Sequence, residues 1–458
     1  MEKFLGRELE LKILQNKFNK DSFGMAIVYG RRRIGKTMLI NEFMNRQACK
    51  KIYFTAVEQN EKILLSMMKD AVLSSLAPEL IDIVDFPDFE KLFEFVGKYA
   101  VKERIIFFID EYPYLAKQCK SIQSVLQKTI DKIWKNTNLF FILCGSLVGF
   151  MKDEVLAESA PLYGRSDLEL KLRPFNYNET ALFLKGYSNE DKAIVYGLTG
   201  GVAKYIKQFD CNKTLDQNII EQFYTLGGYF SEEQIKTVIT NERQNPVLYN
   251  SIIYAIATGH TKNNEIKVCA DTDDITYPLK VLANAEIIER RVASKPYYVL
   301  CDSMLEFWFK YVSRAVSLIN AGSGARYYKT SVKKQLHNFM GKVFEKMAKD
   351  YLLKRSGTNG IPMVTDITDY QTSIIHKGIS TSVEIDLYAS TSKKIAILGE
   401  CKFKSEKFDN KDLENFLKKV KLVKAENAFL CVFSLSGFTD YVKNNNKNIL
   451  LVSINNMY

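Results

Sequence analysis

The sequence predicts an α/β protein: a P-loop ATPase domain with a mostly parallel sheet, followed by a winged helix and an α/β endonuclease-like domain. Three observations carry this expectation. An apolar run over residues 26–29 enters a GxxxxGKT loop, residues 30–37, that opens a helix. A second apolar run, residues 105–109, ends in Asp110 and Glu111. Near the far end, Asp386 is followed after thirteen residues by Glu400, Cys401 and Lys402, a D…ExK spacing on two strands.

The chain has 458 residues, enough for about two or three domains. It is 47% hydrophobic and 26% charged, which suits a globular protein rather than a disordered one. No apolar run approaches the roughly 18–20 residues that span a bilayer, and the charged opening MEKFLGRELELK has no signal-peptide core. A cytoplasmic protein with no membrane partner is expected. The eight cysteines show no CxxC pair or Cys/His spacing and read as reduced thiols. Only His260, His337 and His376 are present, which argues against a histidine-based zinc site or catalytic triad. Residues 326–458 hold 22 Lys and Arg against 13 Asp and Glu, whereas the rest of the chain is nearly balanced. A basic C-terminal third favours a polyanionic partner, DNA in this reading.

In chain order, the opening stretch reads as an amphipathic helix with Leu9, Ile13, Leu14 and Phe18 inward. In the loop, the backbone N–H groups of Gly30, Arg31, Arg32, Arg33, Ile34 and Gly35 can wrap a phosphate chain. Lys36 can reach the β- and γ-phosphates and the Thr37 hydroxyl can ligate Mg²⁺. Thr37 and Met38 open a helix whose positive end faces the anion. ATP and Mg²⁺ are therefore the expected cofactors. Residues 51–57 read as a strand and 60–76 and 89–99 as helices. The run ending in Asp110 and Glu111 has the form of a buried parallel strand whose carboxyl end meets the ligand. Asp110 would hold Mg²⁺ through water and Glu111 would polarise the attacking water. A long helix, 116–135, leads to strand 139–146, with Ser146 at a sensor position. Arg165 lies in a Gly-flanked loop suited to an arginine finger, acting in cis or across a homo-oligomer interface. Lys204, after Gly200 and Gly201, is a second sensor candidate.

The segments FLGRELEL, YGRRRIGKTML, IIFFIDEYPYL, ILCGS, PLYGR and LTGGVAKYI, in this order, resemble the archaeal-type ATPase family, a branch of the AAA+/STAND P-loop ATPases. The triple arginine 31–33 is particularly similar. The resemblance implies that Gly6 and Arg7 lie near the adenine pocket. Members often carry Pro and Arg after the double glycine, where this chain has Ala203 and Lys204. The ATPase domain with its helical lid is expected to occupy residues 1–230.

Residues 231–316 read as three short helices and a hairpin with a basic tip of Arg290, Arg291 and Lys295. That is a winged helix-turn-helix, either a DNA reader or a packing module. The aromatic-rich segment 302–312 reads as buried core, and the Ser- and Gly-rich segment 317–325 as a linker. In the last domain, 326–458, period-two geometry puts Glu400 and Lys402 on one strand face, with Asp386 on the hairpin neighbour across the polar turn STSKK. This is the layout of the PD-(D/E)xK nuclease fold. Asp386 and Glu400 would share Mg²⁺, Lys402 would polarise water or phosphate, and Glu345 in the preceding helix would add a carboxylate. Residues 231–458 also resemble the C-terminal portion that accompanies this ATPase family. The function expected is an ATP-hydrolysing protein that couples nucleotide state to a Mg²⁺-dependent, DNA-directed nuclease-like domain, in defence or mobile-element biology. The alternative is an ATP-controlled switch or DNA-binding regulator whose endonuclease-like domain is a scaffold.

Overall fold

A computed structural model describes residues 4–231, 245–292, 296–376, 379–391, 394–446 and 448–458. Lys295 of the expected basic tip and residues 392–393 of the expected polar turn lie outside them. The chain divides into two compact units. The first comprises Met1–Phe175, Val202–Tyr205 and Thr276–Ile288; the second comprises Asn176–Gly201, Ile206–Ile275 and Glu289–Tyr458.

The first unit is built on five strands: β1 (Gly24–Tyr29), β2 (Lys50–Thr55), β3 (Ile105–Asp110), β4 (Leu139–Gly145) and β5 (Leu168–Lys171). Their order is β2-β3-β4-β1-β5, and the pairings are parallel. Strands β3 and β4 are buried along their whole length, which is why they read as unbroken apolar runs. Two of the helices in this unit start where a side chain accepts from an otherwise unpaired backbone N–H. Asn60 does so for Glu61–Leu76 and Asp88 for Phe89–Ala100. Trp134 anchors the core, with Phe93, Phe107 and Phe141 at ring distances of 5.4, 6.3 and 5.0 Å. Its indole N–H donates to the Phe93 carbonyl at 3.0 Å, which removes the cost of burying a polar atom.

Two local expectations are corrected. In the first helix, Glu8–Phe18, Leu14 is buried and Phe18 packs on the Phe43 and Phe140 rings as expected, but Leu9 is 68% exposed and Leu11 takes its place in the inward stripe. The single helix expected over 116–135 is broken into Tyr112–Gln118, Ile122–Lys132 and a final short turn, Trp134–Asn136. Cys119 is extended, with φ −111° and ψ 91°, and its buried thiol contacts Glu61 and Ser121. The turn there sets Ile122, Leu126 and Ile130 into the core, a gain that a continuous helix would forgo.

The second unit begins with the helices Tyr177–Ala181, Asn189–Thr199 and Leu215–Phe223 and continues with Pro246–Ala257 and Asn263–Ala270. Strands β6 (Ile288–Val292) and β7 (Pro296–Leu300) form a two-stranded sheet. In the aromatic segment, Met304, Leu305, Phe307, Phe309, Tyr311 and Val312 are buried, as expected. The stretch read as a linker is instead helical, Val316–Asn320 and Gly324–Tyr327. Its glycine serves close approach: a Cβ on Gly324 would lie 2.1 Å from the Tyr224 carbonyl oxygen.

A second sheet follows: β8 (Thr368–His376), β9 (Ile379–Thr391), β10 (Lys394–Lys402), β11 (Phe429–Ser434) and β12 (Ile449–Ser453), in the order β12-β11-β10-β9-β8. β8, β9 and β10 are antiparallel neighbours, and β10, β11 and β12 are parallel. Leu413, Phe416 and Val420 of the helix Asn410–Leu422 join Val383, Ile385, Leu398 and Val432 in its core. The helix Leu336–Lys354 also packs on Asn189–Thr199: a Cβ on Gly197 would meet the Met340 sulfur at 2.4 Å, and His337 Nε2 is 3.0 Å from Glu190 Oε1.

Candidate functional site

Gly30, at the end of β1, has φ 152°, and a Cβ there would lie 2.4 Å from the Leu172 carbonyl oxygen. Only glycine fits this turn. Arg33 (φ 69°) and Gly35 (φ 94°) complete the curl before the helix Lys36–Asn45. Lys36 is buried, and its ammonium donates to the Gly30 and Arg31 carbonyls at 2.9 Å each. Burial lowers its pKa, against the opposing pull of Cys144, Glu111 and Asp110. Buried and held only by neutral carbonyls in these bonds, the cation is suited to an incoming anion.

Strand β4 lies between β1 and β3, so Ser146, just past its end, stands between the loop and the acidic pair. A chain of hydrogen bonds joins them. Thr37 Oγ1 donates to Asp110 Oδ2 at 2.7 Å, the Glu111 N–H donates to Asp110 Oδ1 at 2.9 Å, and Ser146 Oγ donates to Glu111 Oε1 at 2.7 Å. Glu111 adopts φ 50°, an uncommon backbone conformation for a non-glycine residue. Its second oxygen, Oε2, is buried without a hydrogen-bond partner among the described residues.

Around this chain, Arg32 donates to the Tyr114 hydroxyl at 2.8 Å. Arg7, also buried, donates to the carbonyls of Ile34 at 3.2 Å and Arg173 at 2.7 Å, pairs with Glu10, and lies 4.1 Å over the Phe175 ring. A Cβ on Gly6 would sit 3.0 Å from the same ring. Arg7 thus ties the start of the chain to the phosphate loop. The Arg33 carbonyl accepts from the Lys204 N–H at 3.2 Å, so in this contact Lys204 meets the loop through its backbone. Met38 is 47% exposed in the first helical turn. Arg165 is held by Asp131, with Nη2 donating to Oδ2 at 2.7 Å, and by the Pro161 carbonyl at 2.8 Å. Sequence reasoning missed Tyr114, Phe175 and Asp131, whose positions along the chain carry no signal of these contacts.

In the second unit, the register of β9 on β10 reaches Gly399 opposite Leu387, which puts Asp386 beside Glu400. Asp386 Oδ2 accepts from the Cys401 N–H at 2.8 Å. Glu400 is 4% exposed, and each of its oxygens receives a lysine: Lys402 on Oε1 and Lys419 on Oε2, both at 2.7 Å. Lys402 therefore shares the face of Glu400, while Lys419 comes from the helix Asn410–Leu422. Lys402 is shifted above the usual lysine range; burial works against its charge, but Glu400 and then Asp386 outweigh it. Asp386 is pushed up to about 6, first by burial and then by the charge of Glu400. Glu345 is pushed up to about 7 by burial and then by Asp386. Among the described residues, no three His, Cys, Asp or Glu side chains form a ready-made metal cage.

Glu345 gives a direct stability test. An unfolded glutamate titrates near ~4.3, so between about pH 4 and pH 7 the native state binds more protons than the unfolded one. Stability from this group is complete below that window and lost as pH rises through it. Glu345→Gln should therefore gain on the parent between pH 5 and pH 8, by about 2–4 °C in melting temperature per kcal/mol recovered. Equal shifts at both pH values would show that Glu345 does not bear this burden.

Residues 4–209 match an ATPase domain found predominantly in Archaea, and residues 308–415 match a family of archaeal and bacterial proteins of unknown function. An uncharacterised protein of Methanocaldococcus jannaschii is 30% identical over 415 residues, 88% of each chain. An uncharacterised ATP-binding protein of the same organism is 44% identical over 48 residues, 10% of this chain and 81% of that protein. The Walker-type ATPase of Pyrococcus abyssi matches with a TM-score of 0.51 at 19% identity, over 67% of this chain and 96% of that one. That likeness concerns the fold: an α/β P-loop ATPase with a parallel central sheet. No described helix is long and apolar enough to cross a membrane. With a P-loop domain of archaeal type at its start and a relative aligned over nearly its whole length, the chain belongs to the archaeal-type ATPase family.

Proposed function

We propose that this ATPase binds and hydrolyses ATP and that its nucleotide state governs a Mg²⁺-dependent, DNA-directed nuclease-like domain, in defence against foreign DNA or in mobile-element biology. The observation that carries the first half is the hydrogen-bonded chain from Thr37 through Asp110 and Glu111 to Ser146. Thr37 Oγ1 and Asp110 Oδ2 are hard oxygen donors 2.7 Å apart, a pair that suits Mg²⁺. When bound, Mg²⁺ would neutralise charge developing on the transferred phosphoryl group. Lys36 would exchange its carbonyl acceptors for phosphate oxygens. The partnerless Oε2 of Glu111 is free to take a proton from the attacking water, with Ser146 holding the other oxygen in place. Arg165 would have to leave Asp131 to act as a finger, and a neighbouring subunit in a homo-oligomer is the natural recipient.

For the second half, Asp386, Glu400 and Glu345 supply carboxylates and Lys402 a cation. The two raised carboxyl groups favour a site that gains from added positive charge. The domain boundaries proposed are ATPase 1–230, winged helix 231–316 and nuclease-like domain 326–458. The middle region has three helices, Pro246–Ala257, Asn263–Ala270 and Thr276–Asn284, followed by the β6–β7 hairpin carrying Arg290 and Arg291. The basic surplus of the last third supports DNA as partner, and the reading places the protein in the cytoplasm.

The test is cleavage of linear, circular and single-stranded DNA with Mg²⁺, with and without ATP. Cleavage altered by ATP supports the coupled reading. A second reading, an ATP-controlled switch with a scaffold domain, is favoured by the closure of both Glu400 oxygens by lysines. ATP turnover without cleavage of any DNA would select it.

A further inference from the structure

We infer that Lys419 is a substrate-positioning residue of the proposed nuclease-like site, and that the cavity it walls receives a DNA phosphodiester. This rests on the nuclease reading and names a residue that the D…ExK spacing does not contain. The cavity, about 370 Å³, is lined by Glu400, Lys402, Asp412, Asn415, Lys418 and Lys419 among others. One helix supplies most of this wall. In Asn410–Leu422, Leu413, Phe416 and Val420 are buried against the sheet, so Asp412, Asn415 and Lys419, at spacings of three and four, line the cavity side by side. The helix start is fixed by the Asp409 side chain, which accepts from the Asp412 N–H at 2.9 Å.

The charge accounting then indicates the ligand. Both acidic groups in the wall are already engaged: Glu400 holds Lys402 and Lys419, and Asp412 Oδ2 holds Lys404 at 2.7 Å. The basic groups are not exhausted. An ammonium has three N–H donors, and Lys419 uses one on Glu400 while its side chain remains 28% exposed. Lys418 is exposed beside it, and Asn415 adds an amide. The cavity thus presents N–H donors with its carboxylates neutralised, the chemistry of an anion site. Its lining Glu400 lies beside Asp386 in the β9–β10 register, and its wall helix also carries Lys411 and Lys421 within the basic third of the chain. A phosphate inside a longer polyanion fits both the local donors and the basic surroundings. Glu400 gives Lys419 its position, and Lys419 in turn hands a phosphate to the face where Glu400 and Lys402 stand.

The experiment is fluorescence anisotropy with a labelled 30-base-pair DNA duplex in EDTA, which prevents metal-dependent cleavage, across a salt series. Lys419→Met should bind about fivefold more weakly, with the log–log salt slope shallower by about one, and Lys419→Arg should restore the slope. In Mg²⁺, the methionine variant should raise KM for DNA more than it lowers kcat. Should Lys419→Met fail to fold, Lys418→Met, at an exposed position, carries the same binding test. Parental affinity and slope in both methionine variants, with cleavage intact, would overturn this inference and leave the nuclease reading standing. A parent that neither binds nor cleaves DNA would overturn both.

Discussion

Glu111→Gln is expected to stop ATP turnover while leaving ATP binding intact. The substitution keeps the shape of the side chain and an oxygen that can accept from Ser146, at 2.7 Å in the parent, but removes the carboxylate that, in the proposed mechanism, would take a proton from water. Losing a positioned general base costs about 10²–10⁴-fold in rate. The left-handed backbone at residue 111 remains accessible to glutamine at no greater strain, so the effect should be confined to chemistry. Phosphate release measured beside equilibrium binding of a fluorescent ATP analogue separates the two steps. Lys36→Ala makes the complementary case: the buried cation at the loop is gone, so binding itself should fail. Unchanged phosphate release in Glu111→Gln would remove Glu111 from the catalytic role, whatever the binding result.

Glu400→Ala should abolish DNA cleavage, by on the order of 10³-fold, because a carboxylate that would hold Mg²⁺ supplies several kcal/mol at the transition state. The variant also releases Lys402 and Lys419 from their shared partner. Two cations that lose their directly bonded carboxylate, with Asp386 left as a neighbouring charge, should destabilise the domain, so the alanine variant alone would confuse folding with chemistry. Glu400→Gln keeps the volume and one acceptor oxygen, and a melting curve for each variant identifies the folded one. Cleavage retained in a folded Glu400→Gln would remove Glu400 from the catalytic role, whatever the behaviour of its neighbours.

Several features were legible because their signals are local. The P-loop is written as consecutive residues, and Gly30 must be glycine for a reason confined to one turn. The buried strands β3 and β4 announce themselves as apolar runs because both of their faces are covered. Glu400 and Lys402 share a face because two residues separate equivalent positions on any strand, and their 2.7 Å ion pair follows from that spacing. Conversely, the expected long helix failed at Cys119 because periodicity cannot reveal that a buried extended residue there precedes a helix that sets Ile122, Leu126 and Ile130 into the core. The supposed linker failed because Ser and Gly are read as flexible, whereas Gly324 is used to bring a helix against the Tyr224 carbonyl.

By itself, the sequence determined the α/β class, the nucleotide loop with its acidic strand end, and the period-two placement of the C-terminal carboxylate and lysine. These depend on backbone geometry and on contacts within a few residues, which the order of residue types encodes directly. Only the tertiary structure decided that β4 separates β1 from β3 and so delivers Ser146 to Glu111, that Arg7 reaches Ile34 and Arg173, and that Arg165 rests on Asp131. It likewise brought Lys419 to Glu400 across nineteen positions of sequence. Such partners are chosen by packing: a sheet order or a helix seated on its apolar face sets which polar groups meet, and no local pattern records that choice.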